Sequence, residues 1–305
     1  MSKKRNVVLN ISAKLLLAFI CSVLVFGTLA LVALKVTFFD ETYMTNMAVK
    51  SKYHEYVAKE VNVHIQDLGR GSNVPPVILE EIVSEELVAE NVELYIRTIY
   101  HDEEFMFKNL DIVKSSVVDR ILQYAQTQGM ELTDESIVTI DRLGEEAVDG
   151  FQKYVRLPYL ADYARRAVSY EHYIDIFLIV TITCSLLVSL AICLLCKRRW
   201  IQIPQYLGYS IGGAGVMMFL LPWLIQRSGV VGRIAILSEG LYTFLTNYFN
   251  GVLQYFIKSG AITFGVGIVC VILGEVLWYK VGDAGDSNES KSKARKRRRR
   301  PRRRA

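Results

Sequence analysis

Two carboxylates, Asp175 and Glu275, border or enter apolar runs of this chain. An acid at membrane depth is the residue type of a proton or ion relay, because a charge there is costly and is kept with a partner or a task. Asp175 falls at the mouth of the run 174–196, within reach of headgroups. Glu275 sits deeper, about one helical turn from the end of the run 261–281, and is the candidate intramembrane functional acid. With Lys280 close behind it, pairing or snorkelling is the expected state.

The other chemistry-bearing residues are equally spare. His54, His64, His101 and His172 all lie between residues 40 and 172. His101-Asp102-Glu103-Glu104 has the right donors for a divalent cation, but no HxxxH or HExxH spacing supports it. Acid-rich helix faces are ordinarily solvated, so neither a metal nor a cofactor is expected. Cys21, Cys184, Cys193, Cys196 and Cys270 all sit in or beside apolar runs. Cys193-x-x-Cys196 has no second pair and reads as packing rather than zinc or redox chemistry. There is no P-loop and no G-x-G-x-x-G after a strand. No catalytic residue is expected, and the chain reads as a non-enzyme.

Two further patterns concern contact rather than reaction. The run 203–226 carries Gly208, Gly212, Gly213 and Gly215, with Gly265, Gly267 and Gly274 in 261–281. Small residues at four-residue spacing let backbones approach. Packing of these two runs on each other is the first expectation, with Gly208, Gly212, Gly215, Gly265 and Gly274 as the contact residues; a homo-oligomer contact comes second. Near the end, Arg295, Lys296, Arg297, Arg298, Arg299, Arg300, Arg302, Arg303 and Arg304 belong to a run of eleven bases from Lys291. They suit anionic lipid headgroups. Nucleic acid is a lesser expectation, because no aromatic residue is interleaved.

The elements that must carry these residues are helical. Four runs, 15–38, 174–196, 203–226 and 261–281, are each long enough at about 1.5 Å per residue to cross a core of roughly 30 Å. The first reads as an uncleaved anchor rather than a signal peptide, its run exceeding a typical apolar h-region. Bases gather in the head (1–14), the hairpin (197–202) and the tail (282–305), and all three are expected on the cytoplasmic side. That sends 39–173 and 227–260 outside. From Asp40 to His172 there are 25 acids against 13 bases, whereas the remaining residues hold 6 acids against 23 bases. The stretch 237–257 is apolar, but Glu239, Asn247, Asn250 and Gln254 argue against a fifth crossing. It is expected as an amphipathic helix in the outer interface or packed on the external domain.

Within 40–172 the spacing predicts helices throughout. Asn73-Val74-Pro75-Pro76 is expected to break the chain and open a helix through Ile78, Leu79, Ile82 and Val83. Further helices are read through Leu87–Ile99 and Asn109–Gln128, the latter stopped by Gly129, with Thr133 capping the next. A last helix is expected to break near Pro158. The tail reads as disordered.

The fold class expected is therefore all-α: a four-helix transmembrane protein with a helical extracytoplasmic domain between spans 1 and 2. The expected function is that of a sensor, scaffold or accessory subunit in a cell envelope, acting through the external domain on a membrane or envelope protein partner. A small transporter or channel component, using Glu275 and the Gly-rich third span, is the alternative. A plasma membrane is expected, and a bacterial one, since neither external segment carries an N-x-S/T site or a cysteine.

Overall fold

A computed structural model describes the chain except for residues 1, 102, 157–163, 197–200, 234–235, 237 and 299–305, with side chains also left undescribed at 2–11, 278 and 280–298. Its helices are α1 (Ser2–Thr37), α2 (Glu41–Lys50), α3 (Tyr53–Gly71), α4 (Glu85–His101), α5 (Leu110–Thr127), α6 (Asp134–Val155), α7 (Glu171–Cys196), α8 (Ile203–Ser228) and α9 (Glu239–Arg298). The described residues contain no strand. The chain divides into two compact units: residues 1–33, 174–228 and 253–305 form one, and 34–173 with 229–252 form the other.

Four helices are long and apolar enough to cross a membrane. They fall at Ser12–Thr37, Glu171–Cys196, Ile203–Arg233 and Glu239–Leu277, with mean hydropathy between 1.5 and 2.8. In the first unit their apolar side chains, among them Leu16, Phe19, Ile179, Leu186 and Ile262, are largely exposed. In water that would be a severe liability; in lipid it is the expected outer surface. The inward contacts are small or polar. Ser210 donates through Oγ to the Ala18 carbonyl at 3.0 Å, and Cys21 lies 3.4 Å from the Ser189 hydroxyl. Cys21, Ile192 and Cys196 are buried together with Tyr206 against them.

The second unit has its own apolar core, assembled from one stripe per helix. Val57, Val61 and Ile65 recur every fourth residue on α3, as do Val113, Val117 and Ile121 on α5 and Leu143, Ala147, Phe151 and Val155 on α6. α4 adds Val88, Val92, Tyr95, Ile96 and Ile99. The 3.6-residue helical period brings such positions onto one face. Two buried or half-buried amides fix the connections. Asn62 bridges both the N–H and the carbonyl of Val83 at 2.9 Å. Asn91 accepts from the Lys108 N–H at 2.9 Å and donates to its carbonyl at 3.2 Å.

One sequence expectation is corrected here, and another is decided between its two alternatives. Ile78 to Val83 do not open a helix: only a 3-10 turn, Pro76–Leu79, forms. Glu81 sits at φ 52°, which no helix accommodates. The Ser84 hydroxyl then accepts from the Leu87 N–H, starting α4. Arg120 holds the intervening stretch through the Glu80 carbonyl at 2.6 Å. Of the two placements expected for 237–257, in the interface or packed on the helical domain, it takes the packed one, though not as a separate helix. From Glu239 it belongs to α9, which continues without interruption through the fourth span, and its Phe244 and Tyr248 are buried in the second unit's core. α9 itself runs as far as Arg298. The basic hairpin 197–200 and the break near Pro158 lie outside the described residues. The Gly129 stop, at φ 64°, and the Thr133 cap, accepting from the Ser136 N–H at 3.2 Å, form as read.

Candidate functional site

The second unit contains a cleft of about 460 Å³, within the size range of small-molecule sites. One side is a single face of α3, along which Tyr56, Glu60, Val63, His64 and Asp67 follow at helical spacing, with Lys59 at the exposed rim. Tyr154 of α6 faces them, and Ser238 and Glu239 close the remaining side at the start of α9. The walls depend on two glycines. A Cβ at Gly150 would come within 2.5 Å of the His64 ring, and one at Gly240 within 2.7 Å of Tyr56 Cβ. Each therefore lets a neighbouring helix lie close enough for the aromatic side chain to be pinned.

Glu60 is the most constrained charge in the cleft. Ser238 Oγ donates to its two carboxylate oxygens, at 2.9 and 3.1 Å, and the same hydroxyl accepts from the Leu241 N–H at 3.3 Å. Ser238 thus caps α9 while orienting Glu60. A carboxylate has about four lone-pair sites, so most of its acceptor capacity still faces the cleft. The His64 ring lies tilted at 55° against Tyr154, ring centres 5.6 Å apart. Three carboxylates, Glu60, Asp67 and Glu239, and one ammonium, Lys59, line the cleft, and Asp67 is already paired with Arg70 at 2.6 Å.

The glycine seam of the first unit is sharper than its sequence pattern. Gly208 meets Val271 and the Gly267 carbonyl, Gly215 meets Phe264 and the Gly260 carbonyl, and Gly274 meets Gln205. Along α9 the contacting glycines are Gly260, Gly267 and Gly274, seven residues apart; along α8 Gln205, Gly212 and Phe219 have the same spacing. This is an antiparallel heptad seam. The approach is tight throughout: a Cβ would lie 2.4 Å from the Phe264 backbone at Gly215 and 2.5 Å from the Gly212 backbone at Gly267. Gly212 itself has room, a Cβ there meeting its nearest neighbour at 3.9 Å. Gly265, expected in the seam, meets nothing within 4 Å because it is two residues, and so about 200°, away from Gly267. Gly260 escaped the sequence reading; its seven-residue offset from Gly267 was the available signal.

Gly208-Tyr209-Ser210-Ile211-Gly212 also spells G-x-S-x-G, a pattern that serves as a nucleophile elbow where a strand turns sharply into a helix. Here it lies wholly inside α8. The Ser210 hydroxyl is fully buried and shared between the Ala18 and Tyr206 carbonyls, each at 3.0 Å. It packs helices. Close by, Ser22 Oγ is buried with no hydrogen-bond partner among the described residues, fitting into the space left by Gly213.

The remaining candidates separate. Glu275 is exposed on α9, and no hydrogen bond or ion pair reaches it among the described residues; the Lys280 side chain is not described. His101 does not gather Glu103 and Glu104 around a cation but pairs with Glu41, at 2.9 Å, and Asp102 lies outside the described residues. A donor group that sequence spacing hid is His54, Glu55 and Glu85, whose ligand atoms lie within 4.8 Å of one another. They come from two helices some thirty residues apart, so no local motif could reveal them. Lys52 already bridges Glu55 at 3.0 Å. Arg295, Lys296, Arg297 and Arg298 lie on the last turns of α9, while Arg299, Arg300, Arg302, Arg303 and Arg304 lie outside the described residues.

Compared with known proteins, the chain matches no family model, no curated protein and no solved structure.

Proposed function

We propose that this chain is a non-enzymatic sensor, scaffold or accessory subunit of a plasma membrane, acting through its acid-rich helical unit on the extracytoplasmic side. The cleft between α3, α6 and the start of α9 is the observation that carries the reading. It is a concave site with converging polar groups and aromatic walls, set in a unit with an independent core. The orientation follows from the bases at 1–14, 197–202 and 282–305, which belong on the cytoplasmic side; the membrane is proposed to be bacterial. The polybasic end then rests on anionic headgroups. The partner is a ligand or an envelope protein that recognises the helical unit.

Glu275 gives the transport alternative little support, because it is exposed and isolated from other described acids. Crosslinking in intact cells with a membrane-impermeant reagent, followed by mass spectrometry, is expected to recover a specific partner on residues 40–156. Recovery of only random neighbours would count against the scaffold reading. The Glu275→Gln variant is expected to retain that crosslinking pattern and normal growth, whereas an ion-coupled carrier would lose its activity.

A further inference from the structure

We propose that Lys14 and the groove between α8 and α9 together seat one anionic glycerophospholipid, its phosphate on Lys14 and an acyl chain in the groove. The proposal goes beyond the sensor reading and requires only that the first unit lies in a bilayer. Lys14 stands at the start of the first span, Ser12–Thr37, where a lysine ordinarily snorkels to water. Here it is only 8% exposed. Its Nζ reaches one acceptor, Gln202 Oε1 at 3.4 Å, and lies 5.6 Å from the centre of the Tyr206 ring. No carboxylate pairs with it among the described residues. An ammonium has three donors, and neither an amide nor a ring supplies a full counter-charge. A buried charge without a counter-ion is costly, so the position calls for an anion. At the edge of a span, between helices, the anion at hand is a lipid headgroup.

The groove shows what that anion carries. Tyr206 meets Tyr209 edge-on, ring centres 6.2 Å apart. Tyr209 begins an open apolar groove of about 320 Å³, lined further on by Gly212, Gly213, Val216, Phe264 and Ile268. From Tyr206 to Val216 the axial rise is about 15 Å, the depth of one leaflet of a core roughly 30 Å thick. A cation at headgroup depth, followed by an apolar channel towards the midplane, matches an anionic amphiphile end to end. A free anion would use Lys14 alone, and a neutral lipid would use the groove alone.

Native mass spectrometry of the full-length protein, released from detergent with phosphatidylglycerol, phosphatidylcholine and inorganic phosphate as probes, tests the assignment. The eleven bases of the tail attract anionic lipid diffusely in every variant, so the quantity read is the affinity of the tightest-held lipid. That lipid should be a single phosphatidylglycerol, held about tenfold more tightly than phosphatidylcholine and undisturbed by excess phosphate. Lys14→Gln should weaken it about tenfold, the loss expected for one charge-assisted contact, and Lys14→Arg, which keeps the charge, should hold it. Val216→Trp, which fills the groove, should weaken it several-fold. Leu186→Trp, on an exposed face of α7, should leave it unchanged. Circular dichroism establishes that the helices persist; should Lys14→Gln fail to fold, Val216→Trp decides. Full retention by Lys14→Gln or Val216→Trp, equal retention of the two lipids, or displacement by inorganic phosphate would each overturn the proposal. So would a lipid-free dimer, in which a second copy fills the groove instead.

Discussion

At the scale of single residues, the glycine seam makes its strongest claim through contrasts. Gly267→Ala must push a methyl into the Gly212 backbone, which cannot retreat as a flexible side chain could. It is expected to destabilise the first unit by about 1–3 kcal/mol, read as a lowered unfolding midpoint in detergent. Gly212→Ala and Gly265→Ala should shift that midpoint little, although a reading of G-x-x-x-G alone would rank Gly212 first. Equal effects at all three positions would contradict the seam. Tyr100 supplies a second residue-level test. Its Oη donates to the Phe38 carbonyl at 3.0 Å, and burial pushes the phenol up to about 12, with Asp40, Glu41 and Glu171 nearby adding to the effect. The unfolded chain loses this proton near pH 10 and the folded chain near 12, so the folded state holds more protons between those values. Stability should therefore be intact below pH 10 and fall as pH rises towards 12, by on the order of 2 kcal/mol. Tyr100→Phe should make that part of the profile less steep in thermal unfolding scans, the remainder coming from Tyr53 and Tyr248, whose phenols burial also pushes up. Seam glycines were half legible, because small residues announce close packing while the face they occupy depends on the partner helix. The Glu60–Ser238 pairing was not legible, since 178 residues separate its members.

At the scale of elements, the sequence period disclosed the helices of the second unit wherever an apolar stripe was long. α5 and α6 begin and end close to their sequence signals, Gly129 and Thr133. The stretch from Ile78 to Val83 was misread because its apolar residues are indeed buried, at Leu79, Ile82 and Val83. Burial there is achieved by a turn pinned by Asn62 and Arg120 rather than by a helix, and periodicity cannot separate the two over six residues. α6 carries the clearest energetic prediction. Phe151 is fully buried and packs at a tilt against Phe107, ring centres 6.0 Å apart. Phe151→Ala should cost about 3–5 kcal/mol, visible as a large drop in denaturation midpoint. Val138→Ala, on the exposed side of the same helix, should change it by no more than about 0.5 kcal/mol. If both substitutions proved mild, α6 would not be a core element.

At the scale of the whole molecule, charge is the organising variable, and it was fully legible because it depends on composition alone. Acids outnumber bases almost two to one between Asp40 and His172, while bases prevail elsewhere. This segregation predicts a labelling pattern. A cysteine introduced at Thr127, exposed at the end of α5, should react with an impermeant maleimide applied to intact cells. One introduced at Ser290 should react only after permeabilisation. The native cysteines all lie in apolar runs, so the unsubstituted chain serves as the blank. The reverse pattern would invert the proposed topology, and labelling at both sites in intact cells would break the even number of crossings. What composition could not disclose was the continuity of α9, since a polar-flecked stretch and an apolar one are read separately by any window.

The heptad seam between α8 and α9 has a mechanical consequence. Gly260, Gly267 and Gly274 act as detents, each seating a helix against backbone rather than against compressible side chains. A slide of one helical turn, about 5 Å, would drive the flanking Phe264 or Val271 into a slot sized for hydrogen. Axial piston strokes of α9 along α8 are thereby blocked, and even a seven-residue shift does not restore glycine throughout, since Leu253 or Val281 would then enter a slot. Pivoting about the Gly267–Gly212 contact meets no such obstacle. Any movement this pair of helices transmits across a bilayer would therefore take the form of a scissoring tilt.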